Sequence, residues 1–275
     1  HDASFSCGIG FVHEIQVKSG KMKKVTFGTL KYAVLILFVL IAFIPIFVMW
    51  MAALKSSSEI FKDPFALPTV LHWENLVKAW TVGRFSQYLG NSIIVTIPTV
   101  AGVVGLSCLA GYAFGRLKFF ASRILFYVFL VGLMVPFQSI MVPMYYDLQK
   151  MKLLGSYWAM ILPAIALGLP FGIFLMQAFF HDLPVDLADA ARVDGCSEFA
   201  VFYKIMLPLA GPAVSTLIVF QFMWTWNAFL MPLLFLNEES LRPISLGLMF
   251  FSGRYTMNYG LVAAGVTLAT LPLIV

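Results

Sequence analysis

The chain has 275 residues, of which 61% are apolar and 11% are charged, and its mean hydropathy is +0.91. This composition excludes a soluble globular domain, in which about a quarter of the residues are charged. The net charge of +5 fits contact with anionic lipid and gives no support to nucleic-acid binding.

The beginning of the chain differs from the rest. Residues 1–21 lack an initiator Met and have the mixed polarity of a tail, whereas Met22 starts a basic flank before the first apolar stretch. We expect residues 1–21 to be a tail, a tag or upstream sequence. Residues 22–275 are predicted to form one transmembrane domain.

Six long intervals contain no Asp, Glu, Lys or Arg. Each can hold an apolar helix of about 20 residues, the length that crosses a hydrocarbon core of roughly 30 Å. The predicted spans are about 32–54, 91–114, 124–146, 157–180, 207–234 and 259–275, which makes the fold class an all-α membrane protein with six transmembrane helices. In the last span only Leu261 to Val275 is uniformly apolar and reaches roughly 22 Å, so we expect the native chain to continue past Val275.

Positive residues favour the cytoplasmic side of a membrane. They cluster before the first span and between the second and third spans, as Lys21, Lys23, Lys24 and Lys31 and then as Arg116, Lys118 and Arg123. The N-terminus is therefore predicted to be cytoplasmic. The loop between the first two spans then lies outside, with Trp73 and Trp80 as candidates for the interfacial aromatic belt.

The segment 182–206, between the fourth and fifth spans, is the one charged segment with a distinctive pattern, and we call it the Asp-Ala-Ala segment. It reads as two short helices joined at Gly195, where a left-handed turn can end the first helix. Asp186 is predicted to cap the first helix, with Asp189 three positions on as in a capping box, and Ser197 to begin the second.

One face of the first of these helices carries small, mildly apolar side chains. Leu187, Ala190 and Ala191 share this face at helical spacing, and small side chains let another protein's backbone approach closely. The face is therefore predicted to dock a partner. The alternative is an amphipathic segment that lies on the lipid headgroups.

The spacing of the whole segment favours docking. Asp189-Ala190-Ala191 is followed by three residues, Gly195, nine residues, Ile205, one residue and Leu207-Pro208. The segment resembles the coupling motif of ATP-binding-cassette (ABC) transporter permeases, in which Glu occupies the place of Asp189. The resemblance extends from Met22 over nearly the whole chain and is closest to the maltose-permease type of carbohydrate importer. Further matching stretches are Ala53-Leu54-Lys55 with Glu59-Ile60-Phe61, Asn91-Ser92-Ile93, Gly111 to Arg116, Val135-Pro136 and Trp226 to Leu230.

The resemblance implies a type I importer permease in a bacterial inner membrane. Its partners would be a second permease subunit, an ATPase homodimer that binds ATP and Mg²⁺, an extracytoplasmic solute-binding protein and a carbohydrate substrate, with no cofactor on this chain. It also implies that Asp189 pairs with a basic group of the ATPase, that Ala190 and Ala191 permit close contact and that Gly195 allows the bend. Asp is one methylene shorter than Glu, which changes the geometry of this ion pair.

The chain has no phosphate-binding loop of the Gly-four residues-Gly-Lys-Ser/Thr type, so ATP hydrolysis is assigned to a separate subunit and no catalytic residue is predicted. His1, His13, His72 and His181 are scattered and support neither a zinc site nor a catalytic triad.

Polar side chains within the predicted spans are candidates for a translocation path, because in hydrocarbon each needs a partner or water. Gln221, Trp224 and Asn227 follow one another at steps of three, an arrangement that suits sugar recognition by an aromatic platform beside amides. Gln138 is a further candidate. The alternative role is hydrogen bonding and packing between helices.

Other function classes remain open at this stage. A related importer for glycerol phosphate or a polyol fits the same pattern. An ion-driven secondary transporter would require buried carboxylates, and the predicted spans contain no Asp or Glu. A structural scaffold would not predict the full coupling spacing.

Overall fold

The computed structural model describes residues 31–250 and 258–274, and the predicted tail, residues 1–21, lies outside this part of the chain. Over the described residues the chain is helical and contains no strand. The elements in chain order are α1 (Lys31–Ala53), α2 (Ser57–Lys62), α3 (Glu74–Thr81), α4 (Phe85–Arg116), α5 (Ser122–Gly132), α6 (Phe137–Lys150), α7 (Trp158–Asp182), α8 (Val185–Val193), α9 (Glu198–Val201), a π-helical segment (Phe202–Met206), α10 (Leu207–Leu209), α11 (Gly211–Trp226), α12 (Leu230–Phe235), a 3-10 turn (Glu239–Leu241), α13 (Ile244–Phe250) and α14 (Tyr259–Ile274).

Three of the described helices, α1, α4 and α7, are individually long and apolar enough to cross a membrane. Two bent pairs, α5 with α6 and the 198–209 helix with α11, raise the number to five if each pair crosses as one span. The apolar helix α14 has 16 residues, fewer than the usual length of a span. The all-helical membrane architecture is confirmed, whereas the count of six spans stays a prediction.

The predicted third span, 124–146, is not one straight helix. α5 ends at Gly132 and α6 begins at Phe137, with an angle of 97° between them. Pro136 lies at the break in an extended conformation, and a proline offers no amide hydrogen and disfavours helix in the residue before it. The predicted fifth span, 207–234, is divided in the same way, by a 74° bend before α11 and a break before α12.

Helices α4 and α7 pack against each other through glycines. A Cβ atom on Gly111 would lie 2.5 Å from the Cβ atom of Met176 and 2.9 Å from the backbone of α7. A Cβ atom on Gly115, one turn further along α4, would lie 3.0 Å from the carbonyl oxygen of Gln177. Pairs of small residues four positions apart are a common way for membrane helices to bring their backbones together.

The apolar core at this end of the molecule joins the long helices to the Asp-Ala-Ala segment. Met176 and Phe180 of α7 belong to the same buried cluster as Ala188, Val201 and Met206 of the segment. The segment is therefore packed onto the ends of α4 and α7 and does not extend away from them as a free loop.

The opposite end of the molecule is organised by the loop that joins α1 to α4. The buried side chain of Lys55 donates hydrogen bonds to the carbonyl oxygens of Asp63 and Pro64, both at 3.1 Å. Trp73 and Trp80, at the two ends of α3, are exposed, as interfacial belt residues would be.

The glycine interface makes a prediction about stability. Gly111→Ala should lower the free energy of unfolding by about 1–3 kcal/mol, because the added methyl group overlaps the backbone of α7. Gly90→Ala is the matched control, since Gly90 lies in the same helix with nothing within 4 Å of its added Cβ atom. Thermal unfolding of the detergent-solubilised protein measures both. Equal unfolding temperatures for the two variants would contradict tight packing at Gly111.

Candidate functional site

The Asp-Ala-Ala segment has the two predicted helices, α8 and α9, joined at Gly195. Gly195 has φ +82°, the left-handed conformation that favours glycine. The side chain of Ser197 accepts a hydrogen bond from the amide of Ala200 and so begins α9, as predicted. The backbone amide of Cys196 donates to the carbonyl of Ala191 and closes the turn.

The prediction that Asp186 caps the N-terminus of α8 is wrong. Pro184, and not Asp186, is the residue before the helix, and it makes no side-chain capping bond. Pro184 has a non-helical backbone, with φ −56° and ψ 132°, whereas Asp186 already lies in the first helical turn, where the helix dipole favours its carboxylate.

The predicted docking face is divided. Ala191 is 5% exposed and, with Ala188, faces the core, while Leu187 and Ala190 face outward. Ala188 and Ala191 lie three positions apart on the side of α8 that packs on α7 and the π-helical segment. The outward face carries Leu187, Ala190, Asp186, Asp189 and Val193. The sequence pattern missed Val193, which is 87% exposed.

The Arg192 side chain makes an ion-pair cluster within the segment. Arg192 Nη1 lies 2.6 Å from Asp189 Oδ1, and Arg192 Nε lies 2.6 Å from Glu198 Oε1. The hydroxyl of Tyr112, from α4, donates to Glu198 Oε2 at 3.0 Å. The hydrogen bonds from Arg192 lower the pKa of the Glu198 carboxyl, and those to Glu198 and Asp189 raise the pKa of the Arg192 guanidinium. Asp189, which the resemblance pairs with an ATPase, thus has a partner within its own chain.

The last residues of the motif, Ile205, Leu207 and Pro208, connect the segment to α11. Ile205 and Leu207 pack against the core, and Pro208 lies two residues after the π-helical segment Phe202–Met206. Pro208 cannot donate to the carbonyl one turn before it, so the helix widens there to hydrogen bonds five residues apart.

A second candidate site is a cavity of about 150 Å³ between α7 and α11. Gln221 is 3% exposed and lines this cavity, with its Nε2 donating to Thr225 Oγ1 at 3.2 Å. Its Oε1 atom is buried without a hydrogen-bond partner among the described residues. A buried amide oxygen without a partner is costly unless water or a ligand satisfies it.

Only two of the four residues predicted from sequence for the translocation path line the cavity. Trp224 lines it and is 49% exposed, with Phe171 of α7 edge-on to its ring at 5.0 Å. Asn227 is exposed, and its Nδ2 donates to the carbonyl of Met223 in its own helix. Gln138 is exposed on α6 and does not line this cavity. The contact of Phe171 with Trp224 was not predicted, because a single Phe in a uniformly apolar span carries no signal.

Comparison with solved structures identifies the fold. A chain of a bacterial ABC transporter involved in the import of the acidic polysaccharide alginate superposes with a TM-score of 0.77, over 92% of this chain and 94% of the other. The two sequences are 20% identical, so this likeness concerns the fold. The fold is that of a type I importer permease.

The sequence comparisons then identify the family. Residues 103–275 match the family described as binding-protein-dependent transport system inner membrane component. The arabinooligosaccharides transport system permease protein AraQ of Halalkalibacterium halodurans is 33% identical over 92% of this chain and 93% of its own length. The diacetylchitobiose uptake system permease protein NgcG of Streptomyces coelicolor is 32% identical over 90% and 83%.

The chain belongs to this family, and it is a multi-pass membrane permease. Family membership decides between the function classes that the sequence left open: it favours a transport permease over an ion-driven secondary transporter or a scaffold. It also implies partnership with an ATPase and a solute-binding protein.

Proposed function

We propose that the chain forms half of the translocation path for a sugar or oligosaccharide in an ATP-driven importer of the bacterial inner membrane. A second permease subunit would form the other half, and an extracytoplasmic solute-binding protein would deliver the substrate. A homodimer of ATPase subunits would bind ATP and Mg²⁺ and move the permeases through the Asp-Ala-Ala segment.

The observation that carries the proposal is the combination of motif and geometry in this segment. The spacing from Asp189 to Pro208 resembles the coupling motif of ABC permeases, and the segment folds as a short helix, a left-handed glycine and a second helix. Its outward face presents Asp189, Ala190 and Val193 to a partner. A carboxylate among small apolar side chains suits a protein surface that carries a basic group.

Two features support a second permease as the partner within the membrane. Most of helix α1 is uncovered by the described residues, since none of its most apolar 18-residue window is buried; only its C-terminal end, at Ala53, packs with Ala79 and Ala264. An apolar groove of about 520 Å³ lies between α4 and α11, lined by Ile97 and Val100 on one side and by Ile218 and Phe222 on the other. A helix and a groove left uncovered in one chain suit contact with a homologous subunit.

The charge distribution supports a cytoplasmic location for the Asp-Ala-Ala segment and for the N-terminus. The Arg116 guanidinium, at the end of α4, donates a hydrogen bond to the carbonyl of Leu183, between α7 and α8. The positive cluster of Arg116, Lys118 and Arg123 therefore lies on the same side as the segment. Positive loops favour the cytoplasmic side, which is where an ATPase would act.

A carbohydrate is the proposed substrate because two relatives more than 30% identical are named for oligosaccharide uptake. The cavity beside Gln221 fits this class, since aromatic rings and amide groups together recognise the apolar faces and hydroxyl groups of sugars. Glycerol phosphate or a polyol is the alternative substrate within the same mechanism.

ATPase activity of the assembled complex tests the proposal. The two permeases and the ATPase, reconstituted together, should hydrolyse ATP faster when the solute-binding protein is present with its sugar than when it is present alone. Candidate sugars, a polyol and glycerol phosphate are compared in parallel, so stimulation also identifies the substrate class. An ATPase that does not co-purify with this chain would contradict the proposed coupling.

Gly195 gives a second prediction, with a matched control in the same chain. Gly195→Leu and Gly155→Leu both place a side chain at positive φ in open space, at +82° and +73°, so both should fold with the same strain of roughly 1–2 kcal/mol. Only Gly195→Leu should reduce ATP-driven uptake, by about tenfold or more, because only Gly195 lies in the Asp-Ala-Ala segment. Uptake is normalised to permease in the membrane. An equal loss in both variants would attribute the effect to strain.

The cavity gives a third prediction. Gln221→Ala and Trp224→Ala should each raise the substrate concentration for half-maximal uptake by about tenfold, because each removes a polar or aromatic contact from the cavity. Asn227→Ala should change it little, since the Asn227 amide is bonded within its own helix. If the substrate concentration for half-maximal uptake equals that of the wild type in all three variants, Gln221 serves helix packing and not the path.

A further inference from the structure

The Arg192 cluster, formed by Asp189, Arg192, Glu198 and Tyr112, connects three helices. Asp189 and Arg192 belong to α8, Glu198 is the first residue of α9, and Tyr112 lies near the end of α4. Between α8 and α9 the backbone passes through Gly195, which has no close neighbour for an added Cβ atom. The side chains of the cluster therefore add a directional constraint on the angle between the two short helices, beside the backbone hydrogen bonds of the turn and the buried contacts of Ala188 and Ala191.

The contact between Arg192 and Glu198 has directional geometry. Nε lies 2.6 Å from Oε1 and Nη2 lies 3.3 Å from Oε2, so the guanidinium meets the carboxylate side-on with two nitrogens. A planar fork of this kind defines the relative orientation of the two side chains, which a lysine ammonium cannot do.

The cluster is anchored in the core on one side only. Arg192, Asp189 and Glu198 are partly exposed, and isolated exposed ion pairs contribute little to stability. Tyr112, by contrast, is 5% exposed, and its ring packs against Phe180 of α7 at 5.6 Å and Phe202 at 5.1 Å. Glu198 thus joins the exposed arginine to a rigid aromatic group between the long helices.

Arg192 binds both Asp189, which precedes Gly195 in the chain, and Glu198, which follows it. A partner cation that binds Asp189 would compete for one contact of Arg192, on its Nη1 atom, and would leave the side-on contact with Glu198 in place. The link from α8 to α4 would therefore persist while a partner is docked on Asp189.

We propose that Arg192, Glu198 and Tyr112 are positioning residues that transmit movement of α8 to α4 instead of allowing it to be absorbed by rotation at Gly195. This inference rests on the proposed coupling function of the segment. It predicts that loss of the link lowers transport without an equal loss of ATP hydrolysis. If the link served folding alone, its loss would change only the amount of intact complex.

The test is the number of substrate molecules imported per ATP hydrolysed, in liposomes that contain the full complex and the loaded solute-binding protein. Tyr112→Phe removes one hydroxyl and keeps the buried ring, and Arg192→Lys keeps the charge and removes the side-on geometry. Each should lower this ratio by about fivefold while ATP hydrolysis changes by less than about twofold. Tyr203→Phe is the matched control, because Tyr203 is an exposed tyrosine of the same segment and lies outside the cluster.

A charge exchange completes the test. Arg192→Glu and Glu198→Arg should each lower the ratio, and the double variant should recover part of it, since the pair is re-formed in reverse. A ratio equal to wild type in Tyr112→Phe and Arg192→Lys would overturn the inference, with or without a lower unfolding temperature. A wild-type complex that shows no stimulated ATP hydrolysis would instead contradict the proposed function, so the two failures are distinguishable.

Discussion

The close contact of α4 with α7 is the constraint on which the rest of the structure depends. Gly102 and Gly111 of α4 leave room only for the side chains and backbone of α7, because an added Cβ atom would lie 2.5–2.6 Å from atoms of Ile165 and Met176. In lipid, such packing replaces the hydrophobic effect as the force that holds helices together. The two helices can therefore move as one body, and the elements attached to their ends share that movement.

The Asp-Ala-Ala segment is attached to this body at several points. α7 leads through Leu183 and Pro184 into α8, and Arg116 of α4 holds the carbonyl of Leu183. Tyr112, one turn before Arg116, holds Glu198 at the start of α9. Apolar burial of Ala188 and Ala191 supplies the non-directional part of the attachment, and the polar contacts define its orientation.

Much of this arrangement could be predicted from the sequence, and the rest could not for physical reasons. The charge-free intervals indicate membrane helices, and glycine at position 195 indicates the joint because few other residues tolerate its φ of +82°. The sequence could not distinguish the roles of Ala190 and Ala191, since alanine suits both a core and an exposed face. Nor could the sequence show that Gln221 is buried and Asn227 exposed. The helix α11 is apolar on all sides, so its periodicity does not show which face is buried.

The connectivity explains how one segment can affect a site at a distance. α7 enters the Asp-Ala-Ala segment and α11 leaves it after a 74° bend, and the cavity beside Gln221 lies between these same two helices. α7 contributes Gly168 to the cavity wall, and α11 contributes Gln221 and Trp224. Under the proposed coupling, a rotation of the segment would change the angle between α7 and α11 at their shared end, and the helices would carry that change to the cavity. In that case the width of the cavity would depend on the position of α8 through α7 and α11 themselves, in addition to the link from Arg192 to Tyr112.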